Sequence, residues 1–162
     1  MKEIQLTQGY VAIVDDEDFE ELSKFKWKAD VRTRGVYAKR YVEKNVNYVR
    51  DRRCIYMHRQ IMGIEDYATC VDHRNGNSLD NRRENMRLCT RAENCRNKKH
   101  PENSPFQFKG VFRRPSGNWG AKITFQYKGQ NLGTFSSPIE AARAYDQKAK
   151  ELHGEFACLN FP

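Results

Sequence analysis

The chain has 162 residues, of which 38% are apolar and 31% charged, a mixture that supports two or three small cores beneath a solvated surface. It contains no run of about 18 apolar residues, which excludes a membrane-spanning helix, and its opening MKEIQLTQGY carries no apolar signal core, so a cytoplasmic protein is expected. The formal net charge of +8 selects a polyanionic partner, and the excess is concentrated late, with no acidic residue between Asn103 and Ile139.

Residues 1–52 read as a small α+β unit. Tyr10 to Val14 predicts a strand. Asp15 to Asp18 predicts a helix start, with Phe19, Leu22 and Phe25 on one face. Trp27 to Val31 and Val36 to Val42 predict two strands joined near Gly35. The carboxylates of Asp15, Asp16, Glu17 and Asp18 could be read as a cation site, but a helix N-terminus attracts acids through its dipole, and that explanation suffices. Cys54 to Met62 is an apolar, β-prone run that includes His58. Cysteines stand at 54, 70, 89, 95 and 158, odd in number and without a CxxC pair, so no disulfide framework is expected. A zinc site from Cys54, Cys70, Cys89 and Cys95 would lack the usual short paired spacings, and packed free thiols are the better reading.

The next stretch carries chemistry. Cys70-Val71 closes a short strand, and Asn75-Gly76 is a turn signal. Asn85 to Cys89 returns as a strand, with Met86 and Leu88 expected to face inward. Thr90-Arg91-Ala92-Glu93 matches a capping box, so a helix begins there with Asn94 in its first turns. Phosphodiester hydrolysis needs a base, a cation and ligands for that cation. Asp72 offers a hard oxygen, His73 a base that titrates near neutrality, and Asn94 an amide oxygen. Asn-Gly turns and Asx-rich loops usually only shape the backbone; the joint spacing of Asp72, His73, Asn85 and Asn94 argues for more than that.

These residues resemble the HNH family of ββα-metal nucleases, in the branch shared with phage and intron homing endonucleases, over roughly residues 55–98. The matching pattern is Asp72-His73, then Asn75-Gly76-Asn77, then Asp80-Asn81-x-x-Glu84-Asn85-x-Arg87-Leu88, then Thr90-x-x-Glu93-Asn94. The resemblance implies that His73 is the general base, that Asn85 orients it, and that Asp72 and Asn94 bind one divalent ion, Mg²⁺ foremost with Mn²⁺ as the alternative. The last helix residue is often histidine in the family, and asparagine serves in this branch. It further implies DNA cleavage leaving 5′-phosphate and 3′-hydroxyl ends. Tyr56-Met57-His58-Arg59 resembles the strand before the motif, with His58 structural. Arg82, Arg83, Arg87 and Arg91 are candidates for holding backbone phosphates, or simply a basic surface.

Residues 53–98 are therefore expected to form the nuclease core, residues 99–107 a polar, proline-bearing linker, and residues 108–162 a last module. Phe108 to Arg113, Trp119 to Gln126 and Gln130 to Phe135 predict three strands, with turns at Pro115–Asn118 and Lys128-Gly129. In the second strand Trp119, Ala121, Ile123 and Phe125 alternate with Gly120, Lys122, Thr124 and Gln126, giving one apolar face and one polar, basic face. Ser137-Pro138-Ile139-Glu140 is a capping box, and the helix it opens turns Ile139, Ala142, Tyr145, Ala149 and Leu152 to the sheet before stopping near Gly154. An exposed basic sheet face suits the DNA major groove.

The module resembles the plant ethylene-response-factor (Apetala-type) DNA-binding domain over about residues 106–162. The motifs are Lys109-Gly110-Val111, Trp119-Gly120-Ala121-Lys122-Ile123, Leu132-Gly133-Thr134-Phe135, Glu140-Ala141-Ala142-Arg143-Ala144-Tyr145-Asp146 and Leu159-Asn160-Phe161-Pro162. The resemblance places DNA contacts at Lys109, Phe112, Arg114, Lys122, Thr124 and Asn131, with Arg113 and Lys128 as basic neighbours. Phe112 and Thr124 stand where the plant domains have arginines, Lys122 where they have an acid and Asn131 where they have a tryptophan, so their target sequence does not transfer. Trp119 is read as core rather than as a stacking platform.

The expected fold class is α+β: a small N-terminal α+β unit, a ββα-metal core, and a three-stranded antiparallel sheet packed on one helix. The expected function is metal-dependent cleavage of double-stranded DNA by a homing or mobile-element nuclease, in the cytoplasm of a prokaryotic or phage-infected cell. One centre per chain implies nicking, and double-strand cleavage would call for a homodimer. The alternatives are a sequence-specific DNA-binding protein with a decayed HNH fold, or an RNA-binding protein.

Overall fold

The computed structural model describes residues 1–33, 35–46, 49–66, 68–97 and 106–162. The linker expected over 99–107 lies outside the described residues except for its last two. The protein is α+β, and its backbone gathers into two compact units, Met1–Arg91 and Ala92–Pro162. Among the described residues no helix is long and apolar enough to cross a membrane.

In the first unit β1 (Lys2–Gln5) pairs antiparallel with β2 (Val11–Val14), and α1 (Asp16–Ser23) follows. Asp16, Glu17 and Asp18 fill its first turn, where carboxylates complement the helix dipole. Its Leu22 is buried, Phe19 and Phe25 pack partly against the core, and the Leu22 carbonyl accepts from the buried Trp27 indole N–H at 2.8 Å. The strands β3 (Lys28–Arg32), β4 (Gly35–Val46) and β5 (Val49–Tyr56) form an antiparallel meander. The expected β-prone run from Cys54 to Met62 is strand only to Tyr56; Met57–Ile61 is a short helix, α2. The reason is packing: the i, i+4 pair Met57 and Ile61 drops onto one core, which a strand could not arrange.

The last two strands of this unit are β6 (Cys70–His73) and β7 (Met86–Cys89), in antiparallel register from Cys70↔Cys89 to His73↔Met86. Leu88 was expected to face inward, yet it is 52% exposed, while Arg87 is buried. The ion pair that Arg87 makes with Asp72, described below, takes the interior position.

One hydrophobic cluster runs from Ile4, Val14 and Leu22 to Met57, Val71 and Met86, so it spans the boundary expected near residue 52. The ββα segment alone has too few apolar side chains to bury a core, and the N-terminal strands supply the rest. Backbone bonds join the same two parts: Ile13 N–H donates to the Leu79 carbonyl and Asn81 N–H to the Ile13 carbonyl, both at 2.8 Å.

The helix α3 (Arg91–Arg96) begins where the capping box placed it. The strands β8 (Val111–Arg113), β9 (Trp119–Phe125) and β10 (Lys128–Phe135) form a sheet in the order β10-β9-β8, with α4 (Pro138–His153) against it. Ser137 caps α4 by accepting from Glu140 N–H at 3.2 Å. The buried side of α4 is Ala141, Ala142, Tyr145, Asp146, Ala149 and His153. Ile139, expected to face the sheet, is 49% exposed because it lies in the first turn, beyond the alanine stripe that sets the packing.

Strand β8 starts three residues later than the Phe108 predicted, because Gly110 holds a left-handed φ of 77° beneath Tyr145. A Cβ there would lie 2.1 Å from the tyrosine ring, so only glycine permits this approach. The hairpin expected at Lys128-Gly129 turns instead at Gln126 and Tyr127, since Lys128 already pairs with Phe125. Both turn residues have positive φ, 47° and 64°, the mark of a type I′ hairpin built without its usual Asn-Gly. Asp146 explains the terminal Leu-Asn-Phe-Pro: its carboxylate accepts from Asn160 N–H at 2.8 Å and Phe161 N–H at 2.9 Å, fastening the chain end to α4.

Candidate functional site

The polar loop between β6 and β7 is ordered by its own side chains. The Asn75 amide donates to Asp80 Oδ2 at 2.9 Å, and Asn75 Oδ1 accepts from Asn77 N–H at 2.8 Å. Gly76 closes a tight turn on the His73 carbonyl with φ 74°. Asn85 stitches the two ends of the loop together: its Oδ1 accepts from Asn75 N–H at 3.1 Å and its amide donates to the Asp80 carbonyl at 2.8 Å. Asn85 therefore acts on the loop that follows His73, and a side chain bonded to the imidazole is that of Asn81.

Asn81 is 1% exposed. Its amide nitrogen donates to the Leu79 carbonyl at 3.2 Å and approaches Met57 Sδ at 3.6 Å, which fixes the amide orientation and turns Oδ1 toward His73 Nε2, 3.3 Å away. An acceptor at that place selects the tautomer with the proton on Nε2 and makes Nδ1 the basic nitrogen. Burial pushes the His73 pKa below its ordinary value, against the opposing pull of Asn81, Asp72 and Asp80, so the ring is neutral near pH 7. Asn81 sits within the matched pattern, but residue type alone could not separate it from the loop-shaping asparagines beside it.

His58 lies edge to face with His73, ring centroids 5.6 Å apart, and stacks on Tyr56 at the same separation. Burial first, then the nearby His73, Arg59 and Arg32, lower its pKa to about 3. Its Nδ1 is buried without a hydrogen-bond partner. His58 thus forms an uncharged wall of the site.

Asp72 is 4% exposed and lies opposite Arg87 in the strand register. Arg87 Nε and Nη2 both donate to its Oδ2, at 2.8 and 2.6 Å. The other arginines of the motif are also occupied. Arg82 holds Asp80 through two bonds of 2.8 Å, which keeps that carboxyl below its usual pKa. Arg83 reaches Asp18 at 2.7 Å while its backbone N–H donates to Asp15 at 2.8 Å. The acidic helix start of α1 thereby clamps the loop, a role its sequence did not disclose. Arg91 is exposed.

Asn94 is half-buried in α3 and falls in the second compact unit, whereas Asp72 and His73 fall in the first. Among the described residues no three His, Cys, Asp or Glu side chains gather as a metal cluster. The donor set that the residues offer, one carboxylate and one amide oxygen, is nonetheless the chemistry a hard divalent cation accepts alongside water. Cys54, Cys70, Cys89, Cys95 and Cys158 are free thiols; Cys89 is buried, but Cys95 is exposed rather than packed.

On the sheet of the second unit, strand alternation separates the predicted contacts. Phe112, Arg114, Lys122, Thr124 and Asn131 share the face away from α4. Phe112 lies over Gly120, where a Cβ would come within 2.5 Å of the ring. Arg114 donates to Asn131 Oδ1 at 3.3 Å, and its guanidinium sits 5.6 Å from the Phe112 ring centroid. Lys122 and Thr124 are exposed. Arg113 and Lys128 alternate to the opposite side, Arg113 lying 5.4 Å from the Trp119 ring. Lys109 Nζ donates to the Arg96 carbonyl at 2.6 Å, and burial lowers its pKa. Trp119 is half-buried and packs on the core.

Residues 65–96 match the HNH endonuclease family. The chain is also similar to dehydration-responsive element-binding protein 2A of Arabidopsis thaliana, 48% identical over 64 residues, covering 38% of this chain and 19% of the relative. Protein 2E of the same plant is 42% identical over 77 residues, 41% of this chain and 32% of the relative. Protein 2A of Oryza sativa subsp. indica is 41% identical over 63 residues, 38% of this chain and 23% of the relative. The chain spans about a fifth to a third of the length of these relatives.

Proposed function

From an HNH segment joined to an ethylene-response-factor-type domain, we propose that this chain is a divalent-metal-dependent endonuclease of double-stranded DNA, in which the HNH segment cuts and the C-terminal sheet binds the major groove. The observation that carries the reading is the buried, neutral His73, held by Asn81 in the tautomer that makes Nδ1 a base, next to the carboxylate of Asp72. Nδ1 takes a proton from the attacking water; burial keeps the ring unprotonated and ready near pH 7. Asn85 preserves the loop geometry behind this base. Asp72 and Asn94 would hold the cation, Mg²⁺ or Mn²⁺, which when bound supplies positive charge for the departing 3′ oxygen. The ends left are 5′-phosphate and 3′-hydroxyl.

Phe112, Arg114, Lys122, Thr124 and Asn131 form the reading face. Lys109, Arg113 and Lys128 flank it and contribute charge. A cutting unit coupled to a reading unit suits a mobile-element or homing nuclease of cytoplasmic, prokaryotic or phage setting. One centre per chain nicks, and a homodimer would cut both strands. A second reading, a DNA-binding protein without catalysis, is favoured by one observation, the Arg87 fork already seated on Asp72.

Plasmid relaxation in Mg²⁺ or Mn²⁺ decides between them. Wild type should nick supercoiled DNA and His73→Ala should not, with equal duplex affinity. Binding without cleavage by either protein would establish the second reading. Asp72→Asn is a cleaner companion than Asp72→Ala, because it keeps an oxygen acceptor facing the buried Arg87 fork.

A further inference from the structure

We propose that Arg87 is a built-in counter-cation that competes with a divalent ion for Asp72, so that loading the site requires the arginine to give up the carboxylate. The inference rests on the nuclease reading above and adds to it a residue that sets metal affinity. Arg87 stands directly across the β6–β7 ladder from Asp72, and two of its nitrogens donate to the single oxygen Oδ2, at 2.8 and 2.6 Å. The side chains are 8% and 5% exposed, so water screens the pair poorly. Two charge-assisted donors fill the lone pairs of that oxygen, and a metal ion cannot share it while the fork is in place.

A guanidinium, unlike a lysine ammonium, does not give up its proton in a protein and so cannot escape the conflict that way. The arginine must therefore move. Repulsion between a fixed positive charge and a divalent ion falls off only as the inverse of distance, so an ion approaching either edge of the carboxylate meets it. The neighbouring Arg82 and Arg83 hold Asp80 and Asp18, and neither is seated on a proposed metal ligand. Arg87 is a positioning residue in this scheme. A DNA phosphate gives it another anion to hold, which makes ion and substrate binding mutually favourable.

The test is calorimetric titration of the full chain with Mn²⁺, without DNA, for wild type, Arg87→Met, Asp72→Asn and the double variant. Arg87→Met should bind Mn²⁺ at least tenfold more tightly than wild type, and the double variant should lose that gain. Wild-type binding with equal or weaker binding by Arg87→Met would overturn the proposal and leave the nuclease reading standing. No Mn²⁺ binding by any of the proteins would remove both. Arg87→Met removes a buried counter-charge from Asp72 and can unfold, so the wild type supplies an independent measurement. The Arg87 Nε–H resonance should shift in step with Mg²⁺ binding, and a resonance that stays still at saturating Mg²⁺ would refute the displacement.

Discussion

Replacing Asn81 with alanine should damage the first unit and its base together. The change removes the 3.3 Å bond to His73 Nε2 and the 3.2 Å bond to the Leu79 carbonyl, both in a site that is 1% exposed. Each bond contributes about 1 kcal/mol net, and loss of the acceptor facing the buried imidazole nitrogen costs about 1–3 kcal/mol more, so a loss of roughly 3–5 kcal/mol is expected. With a urea slope of about 1 kcal/mol per molar, the unfolding midpoint should fall by about 3 M or more. Cleavage should report the same contact through its pH dependence. The Asn81 bond raises the His73 pKa, so Asn81→Ala lowers it further and moves the acid limb of the rate profile to lower pH, on a reduced plateau. Asn81→Asp restores an acceptor and adds negative charge, which stabilises imidazolium and moves the limb upward. A midpoint within about 0.5 kcal/mol of wild type, with the acid limb unmoved in both variants, would show that Asn81 does not hold His73.

His58 makes the fold sensitive to acid. Its folded pKa of about 3 lies below the ordinary histidine value of about 6.5, so the unfolded chain takes up a proton that the folded chain refuses. Stability should therefore fall as pH drops from about 6.5 to about 3, by roughly 1.4 kcal/mol per unit from this group. His58→Phe, which keeps the ring and removes the unpartnered Nδ1, should flatten denaturation midpoints over that range; an unchanged slope would count against the burial. Gly110→Ala should cost about 3 kcal/mol or more through its positive φ and the clash with Tyr145, read as an early thermal transition of the second unit. Lys122→Ala should weaken duplex binding and lower the log–log salt slope by about one, whereas Lys128→Ala, on the other side by register, should change it much less. Equal effects of the two substitutions in a salt titration would argue against the assigned face.

Much of this protein is legible in its residue order because the deciding physics is local. The capping boxes at Thr90 and Ser137 mark where α3 and α4 begin, the alternation from Trp119 to Phe125 marks a two-faced strand, and Asp72-His73 stands out beside an Asx-rich loop. Local patterns misjudged places where distant groups compete for one position. Met57 and Ile61 form a helix because the core reaches them, and the Gln126-Tyr127 turn lies where the register of β9 and β10 forces it, ahead of the glycine. Leu88 is displaced to the surface because Asp72 and Arg87 need each other inside. Likewise α1 clamps Arg83, and Asn81, rather than its neighbours, touches the base. By itself the sequence determined most of the elements, a separate C-terminal module and the residue types of both sites, since these follow from period, capping and composition. Only the tertiary structure decided which asparagine holds His73, which arginine holds Asp72 and which basic residues share a sheet face. Those choices depend on cross-strand register and burial, and both arise only when distant segments pack.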